Sequence, residues 1–289
     1  MNDKKKNEKK RYLRLKNLKE FGVDVTWENL FSKTVLFAGV GGVGSIAAEM
    51  LARCGIGKMI LIDLDIVEEV NLNRLFYTQE NIGKPKVEVA KEILTKINRD
   101  VEIETYHSDI CAIDFEEKFE QLIKESDLVI SSLDNVPARL FINEKCVQLR
   151  KEYIDSGASR SGLGGYVHLV IPYKTACYQC TGSIDLGEKK HGEPCSASLP
   201  TTIAIIASLT VEITLKYLLN FGVIPDYIGF NALTDQYILQ KMNRDPLCYI
   251  CGERKISLKE QKKSLQKIDK LTEGKTVDEL IQNLVSQEK

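Results

Sequence analysis

The chain has 289 residues, 43% of them hydrophobic and 28% charged, with a formal net charge of -1 at pH 7. That balance belongs to a folded globular protein and excludes a disordered or fibrous chain. The near-zero charge provides no global attraction to nucleic acid or to an anionic membrane, and the basic N-terminus lacks the apolar run of a secretory signal. No nucleic-acid or membrane partner is therefore expected, and the expected compartment is cytoplasmic.

Residues 1–11 are Lys-rich and too poor in apolar surface to offset the entropy of ordering them, so they read as a flexible basic arm. A first helix is predicted over Tyr12–Phe21. From Thr34 onward short β-rich runs alternate with segments of helical period. Strands are predicted at Thr34–Ala38, Met59–Asp63, Val101–Tyr106, Leu128–Ser132 and Tyr153–Ser156. Helices are predicted between them at Val43–Arg53, Lys84–Ile97, Phe115–Lys124 and Ala138–Lys151. Four crossovers of this kind make a doubly wound, mostly parallel α/β sheet of Rossmann type. After Gly157 the pattern changes. Gly164–Ile171 and Tyr227–Leu239 read as an antiparallel extension, with one long helix, Thr202–Asn220, between them. In that helix Ile206, Leu209, Ile213 and Tyr217 share a face, and Glu212 pairs with Lys216 at i,i+4. The interruption of this apolar run by two charges favours a buried core helix over a membrane span. Residues 12–253 form the expected folded domain, and residues 254–289 the expected tail.

The first strand runs into Gly39-Val40-Gly41-Gly42-Val43-Gly44 and then a helix, the strand–turn–helix setting that a G-x-G-x-x-G phosphate loop requires. Glycines let the backbone approach a phosphate, whose charge meets the helix N-terminus. Asp63, about 20 residues on, is placed to accept hydrogen bonds from a ribose. At this point a nicotinamide dehydrogenase and an ATP enzyme fit equally well.

The next segment, Asp63-Leu-Asp65-Ile-Val67-Glu-Glu-Val-Asn71-Leu-Asn73-Arg74, is followed by Lys84-Pro-Lys86. It resembles the D-x-D-x-V-x-x-x-N-x-x-R pattern of the ubiquitin-activating-enzyme superfamily, which includes the sulfur-carrier adenylyltransferases of molybdopterin and thiamine biosynthesis. Hydride transfer has no need of this cation set, whereas attack of a carboxylate on the α-phosphate of ATP does. Arg74 and Lys86 are the candidate cations. Asp134, after the fourth predicted strand, is a candidate Mg²⁺ or adenylate ligand, and a helix N-cap is the alternative use of Asp134 and Asn135. The resemblance further implies that Asp65, Asn73 and Asn135 line the ATP site. It places Asp109 near the adenine, where relatives carry Asn. It also matches Arg14 to an arginine that such enzymes insert into the neighbouring subunit's ATP site, implying a homodimer.

Cys177-Tyr-Gln-Cys180 and Cys248-Tyr-Ile-Cys251 are two C-x2-C knuckles, and four thiolates so spaced can enclose a tetrahedral Zn²⁺. Four sulfurs leave no open coordination position, so the ion is expected to be structural. A thioredoxin-like redox role fits less well, because there are two pairs and neither follows a thioredoxin-type βαβ unit. Cys54, Cys111 and Cys146 read as small hydrophobes. Cys195 differs: it precedes the long helix and follows Lys189, Lys190 and His191, surroundings that favour thiolate.

Cys195-Ser-Ala-Ser-Leu-Pro-Thr-Thr, Leu218-Leu-Asn-Phe-Gly222 and Gly229-Phe-Asn231-Ala closely resemble the branch of the superfamily that activates ubiquitin-fold modifier 1, over roughly residues 12–251. The resemblance implies adenylation of a small ubiquitin-fold protein, a thioester on Cys195, and transfer to a conjugating enzyme. In that branch the second cysteine pair is more widely spaced than Cys248-x2-Cys251, which is closer to the sulfur-carrier enzymes. The alternative is accordingly an adenylyltransferase without a thioester step. In the tail, Thr276-Val-Asp-Glu279 forms a capping box and Val277, Leu280, Ile281 and Leu284 share a face. The resemblance assigns this short helix to docking of the conjugating enzyme, and packing onto its own body is the plainer use.

Overall fold

A computed structural model describes residues 10–159, 161–181 and 199–252. Eight strands form one sheet: β1 Thr34–Ala38, β2 Lys58–Ile62, β3 Glu102–Tyr106, β4 Leu128–Ser131, β5 Tyr153–Ala158, β6 Gly164–Val170, β7 Tyr227–Asn231 and β8 Gln236–Gln240. Their spatial order is β3-β2-β1-β4-β5-β6-β7-β8. The first five pair in parallel, and β5 through β8 pair antiparallel. Chain order reverses at β1, so the carboxyl ends of β1, β2 and β4 open on the crevice where such sheets bind ligands.

The parallel strands are apolar on both faces because helices cover both. Val35, Phe37, Met59, Leu61, Leu128 and Ile130 point into one core layer. Leu36, Ala38, Ile60, Ile62 and Val129 point into the other. The helices are α1 Leu13–Lys16, α2 Gly42–Cys54, α3 Lys86–Ile97, α4 Glu116–Glu125, α5 Val136–Gln148 and α6 Pro200–Leu219. Residues of α2, α3 and α6 join the first layer, while α4, α5 and the four zinc-knuckle cysteines join the second.

Several boundaries move for local reasons. The helix predicted over Tyr12–Phe21 is one short α-turn, α1, continued by a 3-10 segment, Asn17–Phe21, that ends at left-handed Gly22. The helix predicted from Lys84 begins at Lys86, because the residue before a proline is pushed out of the α region. The helix predicted from Ala138 begins at Val136, where the Asn135 side chain caps it by accepting the Ala138 N–H at 2.9 Å. Tyr227–Leu239 is two strands folded back on each other across residues 232–235. Arg11, assigned by composition to the arm, donates from Nη1 to the Ile97 carbonyl at 3.3 Å and to the Asn98 side chain.

The long helix α6 is apolar enough by length and composition to cross a membrane, yet half of its most apolar stretch is buried in the protein. It packs on α2, β5 and β6. Glu212 and Lys216 form the expected ion pair at 2.5 Å. The Thr210 and Thr214 hydroxyls, buried in the core, donate to carbonyls one turn back at 2.8 Å and so bury no unpaired donor.

Candidate nucleotide site and metal centre

The loop after β1 is shaped by contacts that leave no room for side chains. Gly39 adopts φ 93° and lies against the Ser132 carbonyl, where an added Cβ would stand 2.9 Å from oxygen. A Cβ on Gly44 would sit 2.1 Å from the Gly39 carbonyl and 2.4 Å from the Ser132 hydroxyl, so α2 can close on the ends of β1 and β4 only with glycine there. Gly41, by contrast, faces open space. Gly42 is covered by the Arg74 δ-carbon and by Ile203. The Ser132 hydroxyl donates to the Gly39 carbonyl at 2.7 Å and the Tyr77 hydroxyl to the Val40 carbonyl at 2.5 Å, which fix the loop from two sides.

Asp63, at the end of β2, accepts the Val40 N–H at 2.8 Å with one oxygen and the Asp65 N–H at 2.8 Å with the other. The carboxylate therefore braces the glycine loop, a use that spacing from the loop does not show. Burial raises its pKa above the ordinary value, against the opposing pull of Lys86 and these two amides.

Residues 65–67 run antiparallel to residues 83–86: Val67 N–H donates to Lys84, Lys86 N–H to Asp65 and Gly83 N–H to Val67. This pairing brings the Lys86 ammonium to 2.6 Å from Asp65. Arg74 follows on the next turn, and its Nε is buried without a hydrogen-bond partner among the described residues. A buried guanidinium N–H left unmade is costly unless an acceptor arrives. Asn73 is exposed on the same turn. Asp134 is exposed at the carboxyl end of β4, next to the capping residue Asn135. Asp109 follows the carboxyl end of the edge strand β3, and its carboxylate accepts the Cys111 N–H at 2.9 Å. The glycine loop, Asp63, Asp65, Arg74, Lys86 and Asp134 thus share one edge of the sheet.

Arg14 does not join them. Tyr12, two residues before it, packs its ring on Gly55 at the far end of α2 and accepts from Asn98 at 2.8 Å. Thirteen residues of α2 put roughly 20 Å between that point and the chain's own glycine loop.

The four cysteines Cys177, Cys180, Cys248 and Cys251 converge, with sulfur–sulfur distances of 3.8 Å (Cys177–Cys180), 3.7 Å (Cys177–Cys248) and 3.3 Å (Cys180–Cys251). All four sulfurs lie within 4.8 Å of one another. A tetrahedron with Zn–S of about 2.3 Å has edges of about 3.8 Å, so the donor set fits zinc. Of the other cysteines, Cys146 is fully buried in the core as expected, whereas Cys111 is exposed and does not serve as a core hydrophobe. Cys195, its loop and the tail helix from Thr276 lie outside the described residues.

Sequence reasoning missed a buried ion pair beneath this edge. Arg139 of α5 donates from Nη1 to both oxygens of Asp155 on β5 at 2.7 Å, with 4% and 1% of the two side chains exposed. A charged residue inside a strand between two other strands of the sheet was the available signal.

The ThiF family pattern matches residues 12–250. The chain belongs to the ThiF family. Among curated relatives it is 42% identical over 251 residues to "Ubiquitin-like modifier-activating enzyme 5" of Dictyostelium discoideum, and 41% identical over 251 residues to that of Aedes aegypti. Each match covers 82% of this chain, but 66% and 63% of the relative, so the chain spans less than two thirds of their length. Among solved structures, Escherichia coli MccB with AMPCPP and MccA superposes with a TM-score of 0.68 at 26% identity, covering 78% of this chain and 68% of that one. The matched span takes in the glycine loop, Arg74, Lys86 and all eight strands of the sheet.

Proposed function

We propose that this chain uses ATP to adenylate the C-terminal carboxylate of a small ubiquitin-fold protein, captures the acyl group as a thioester on Cys195, and passes it to a conjugating enzyme. The observation that carries the reading is the buried, unpartnered Nε of Arg74 over Gly42, at the N-terminus of α2 and on the same edge as Lys86. A polyphosphate satisfies that N–H and meets the positive end of the helix.

In the first step a modifier carboxylate oxygen bonds to the α-phosphorus as the α–β phosphoanhydride breaks and pyrophosphate leaves. Arg74 and Lys86 stabilise charge that grows on the transferring and leaving oxygens. Asp134 is the residue that would hold Mg²⁺, a hard ion that prefers one or two carboxylates with phosphate oxygens and supplies charge neutralisation there. In the second step the Cys195 thiolate attacks the acyl carbon and AMP leaves. The zinc would be held by Cys177, Cys180, Cys248 and Cys251 and ties two chain segments together without an open position for chemistry.

A groove of about 280 Å³ beyond the end of β5, lined by Ser159, Ser161, Tyr166, Tyr227, Phe230 and Asn231, offers hydroxyls and an aromatic wall to a peptide terminus. The position of Arg14 supports a homodimer: it is remote from its own loop, so a second copy is needed to deliver it. The tail helix from Thr276 is the segment assigned to the conjugating enzyme, and a cytoplasmic setting keeps the thiols reduced. A second reading, an adenylyltransferase that stops at the acyl-adenylate, draws on the Cys248-x2-Cys251 spacing.

The test is incubation of the full chain with ATP, Mg²⁺ and candidate ubiquitin-fold proteins, resolved on gels with and without reductant. A reductant-sensitive adduct that is lost in Cys195→Ala supports the proposal. Pyrophosphate release with no adduct selects the second reading, and no modifier-dependent turnover of ATP overturns both.

A further inference from the structure

The Arg139–Asp155 pair is the centre of a wider polar cluster inside the second core layer. Asp155 also accepts from the Ser131 hydroxyl at 2.9 Å and from the Tyr166 hydroxyl. The Arg139 Nη1 donates to Tyr166 Oη at 2.9 Å. Its Nη2 donates to the Ser156 carbonyl at 3.1 Å and to the Leu133 carbonyl. Gly157 makes room for it, because a Cβ there would stand 2.4 Å from Nη2. Two strands, β5 and β6, the loop after β4 and helix α5 thus meet on one guanidinium. The Leu133 carbonyl belongs to the peptide group that leads directly into Asp134.

Taking two charges out of water costs as much as their attraction returns, so a buried pair is weak evidence for stability and points to a geometric task. The loop after β4 is pinned on both sides of Leu133. Ser132 N–H donates to the Ala38 carbonyl at 2.9 Å, its hydroxyl donates to the Gly39 carbonyl at 2.7 Å and Asn135 caps α5, and between these points Arg139 holds the Leu133 carbonyl. We propose that Arg139 and Asp155 are a positioning pair: they fix the backbone at Leu133, and through it Asp134, in the geometry that adenylation requires. The pair touches neither nucleotide nor modifier and acts through the loop. This rests on the adenylation reading above for its functional half, whereas the restraint on the loop stands on geometry alone.

Two variants and two measurements separate the possibilities. Asp155→Asn keeps the shape of the acceptor and removes its charge. The paired variant Arg139→Met with Asp155→Leu removes both charges at similar volume, a replacement that folded proteins tolerate. Hydrogen exchange of residues 132–138 is read on the full chain without substrate. Faster exchange confined to that loop in either variant is expected, and unchanged loop protection in both overturns the restraint. With ubiquitin-fold modifier 1 as probe, the paired variant should melt near the wild-type temperature. Its adenylation kcat should be at least tenfold lower, with KM for ATP within about twofold. A paired variant with full kcat overturns the proposal, since a purely structural pair would be replaced without loss. If wild type adenylates nothing, the functional reading falls, and hydrogen exchange still decides the positioning claim.

Discussion

The ammonium of Lys86 lies 2.6 Å from the carboxylate of Asp65, and only the acid faces water: 7% of the lysine side chain is exposed against 54% of the aspartate. Lys86 opens α3, where the helix dipole disfavours a cation, so Asp65 is what keeps the charge in place. Replacing Lys86 by Met is expected to lower modifier-dependent ATP–pyrophosphate exchange by about 10²- to 10³-fold, the range for a removed transition-state cation or donor. Asp65→Asn should cost less, about tenfold, since the cation survives with weaker guidance. Equal losses in both variants would mean that the pair acts as one unit.

The glycines of the phosphate loop should divide into two classes. Gly44→Ala places a methyl 2.1 Å from the Gly39 carbonyl and is expected to destabilise the fold by about 1–3 kcal/mol, measured by urea unfolding. Gly41→Ala meets open space, so its stability should change by less than about 1 kcal/mol. Its methyl instead occupies room that a phosphate needs, and ATP affinity measured by calorimetry should fall. Undiminished affinity would remove Gly41 from the nucleotide site.

The purified chain should carry about one zinc ion per molecule, by metal analysis alongside thiol titration. Chelation, or Cys248→Ser, is expected to lower the melting temperature, because Cys177, Cys248 and Cys251 are buried among core residues and lose the cation that lets them stay as thiolates. A metal-free preparation with the same melting temperature would refute a structural ion.

His168 makes stability depend on pH. It is 1% exposed on β6, its Nε2 has no partner among the described residues, and burial lowers its pKa from the ordinary 6.5 despite the nearby Asp155 charge. The unfolded chain therefore takes up a proton at this site before the folded chain does. The stability contributed by neutral His168 is complete above 6.5 and is lost as pH falls toward the folded value, at up to about 1.4 kcal/mol per pH unit. Urea unfolding at about pH 7 and about pH 5 should show a smaller fall for His168→Gln than for wild type. Identical slopes would show that other groups carry the acid sensitivity.

The parallel half was legible because its signals are local: apolar runs as long as a strand, helical periods between them, and glycines at a strand end. Boundaries failed where one residue decides them, as at Pro85 and Asn135. The antiparallel turn at residues 232–235 was missed because Tyr227–Leu239 is apolar through most of its length. Within the candidate site, the superfamily resemblance and the spacing from the glycine loop singled out Arg74, Lys86 and Asp134. They did not find the bracing role of Asp63, whose partners are backbone amides, or Arg139, whose partner lies on a strand 16 residues away. Contacts to main-chain atoms leave no trace in residue identity, and a buried pair is visible only once both members are known to be inside.

The cysteine cluster closes the chain on itself across 71 residues, from Cys177 to Cys248. Within that ring of chain, α6, β7 and β8 are also held by the sheet and by α2, so the clasp adds a second closure to elements already packed. Oxidants or metal scavengers would open the ring at Cys177 and Cys248 while leaving the Gly39–Gly44 turn, which is built on other contacts, intact, so thiol stress would reach the antiparallel half of the sheet before the crevice.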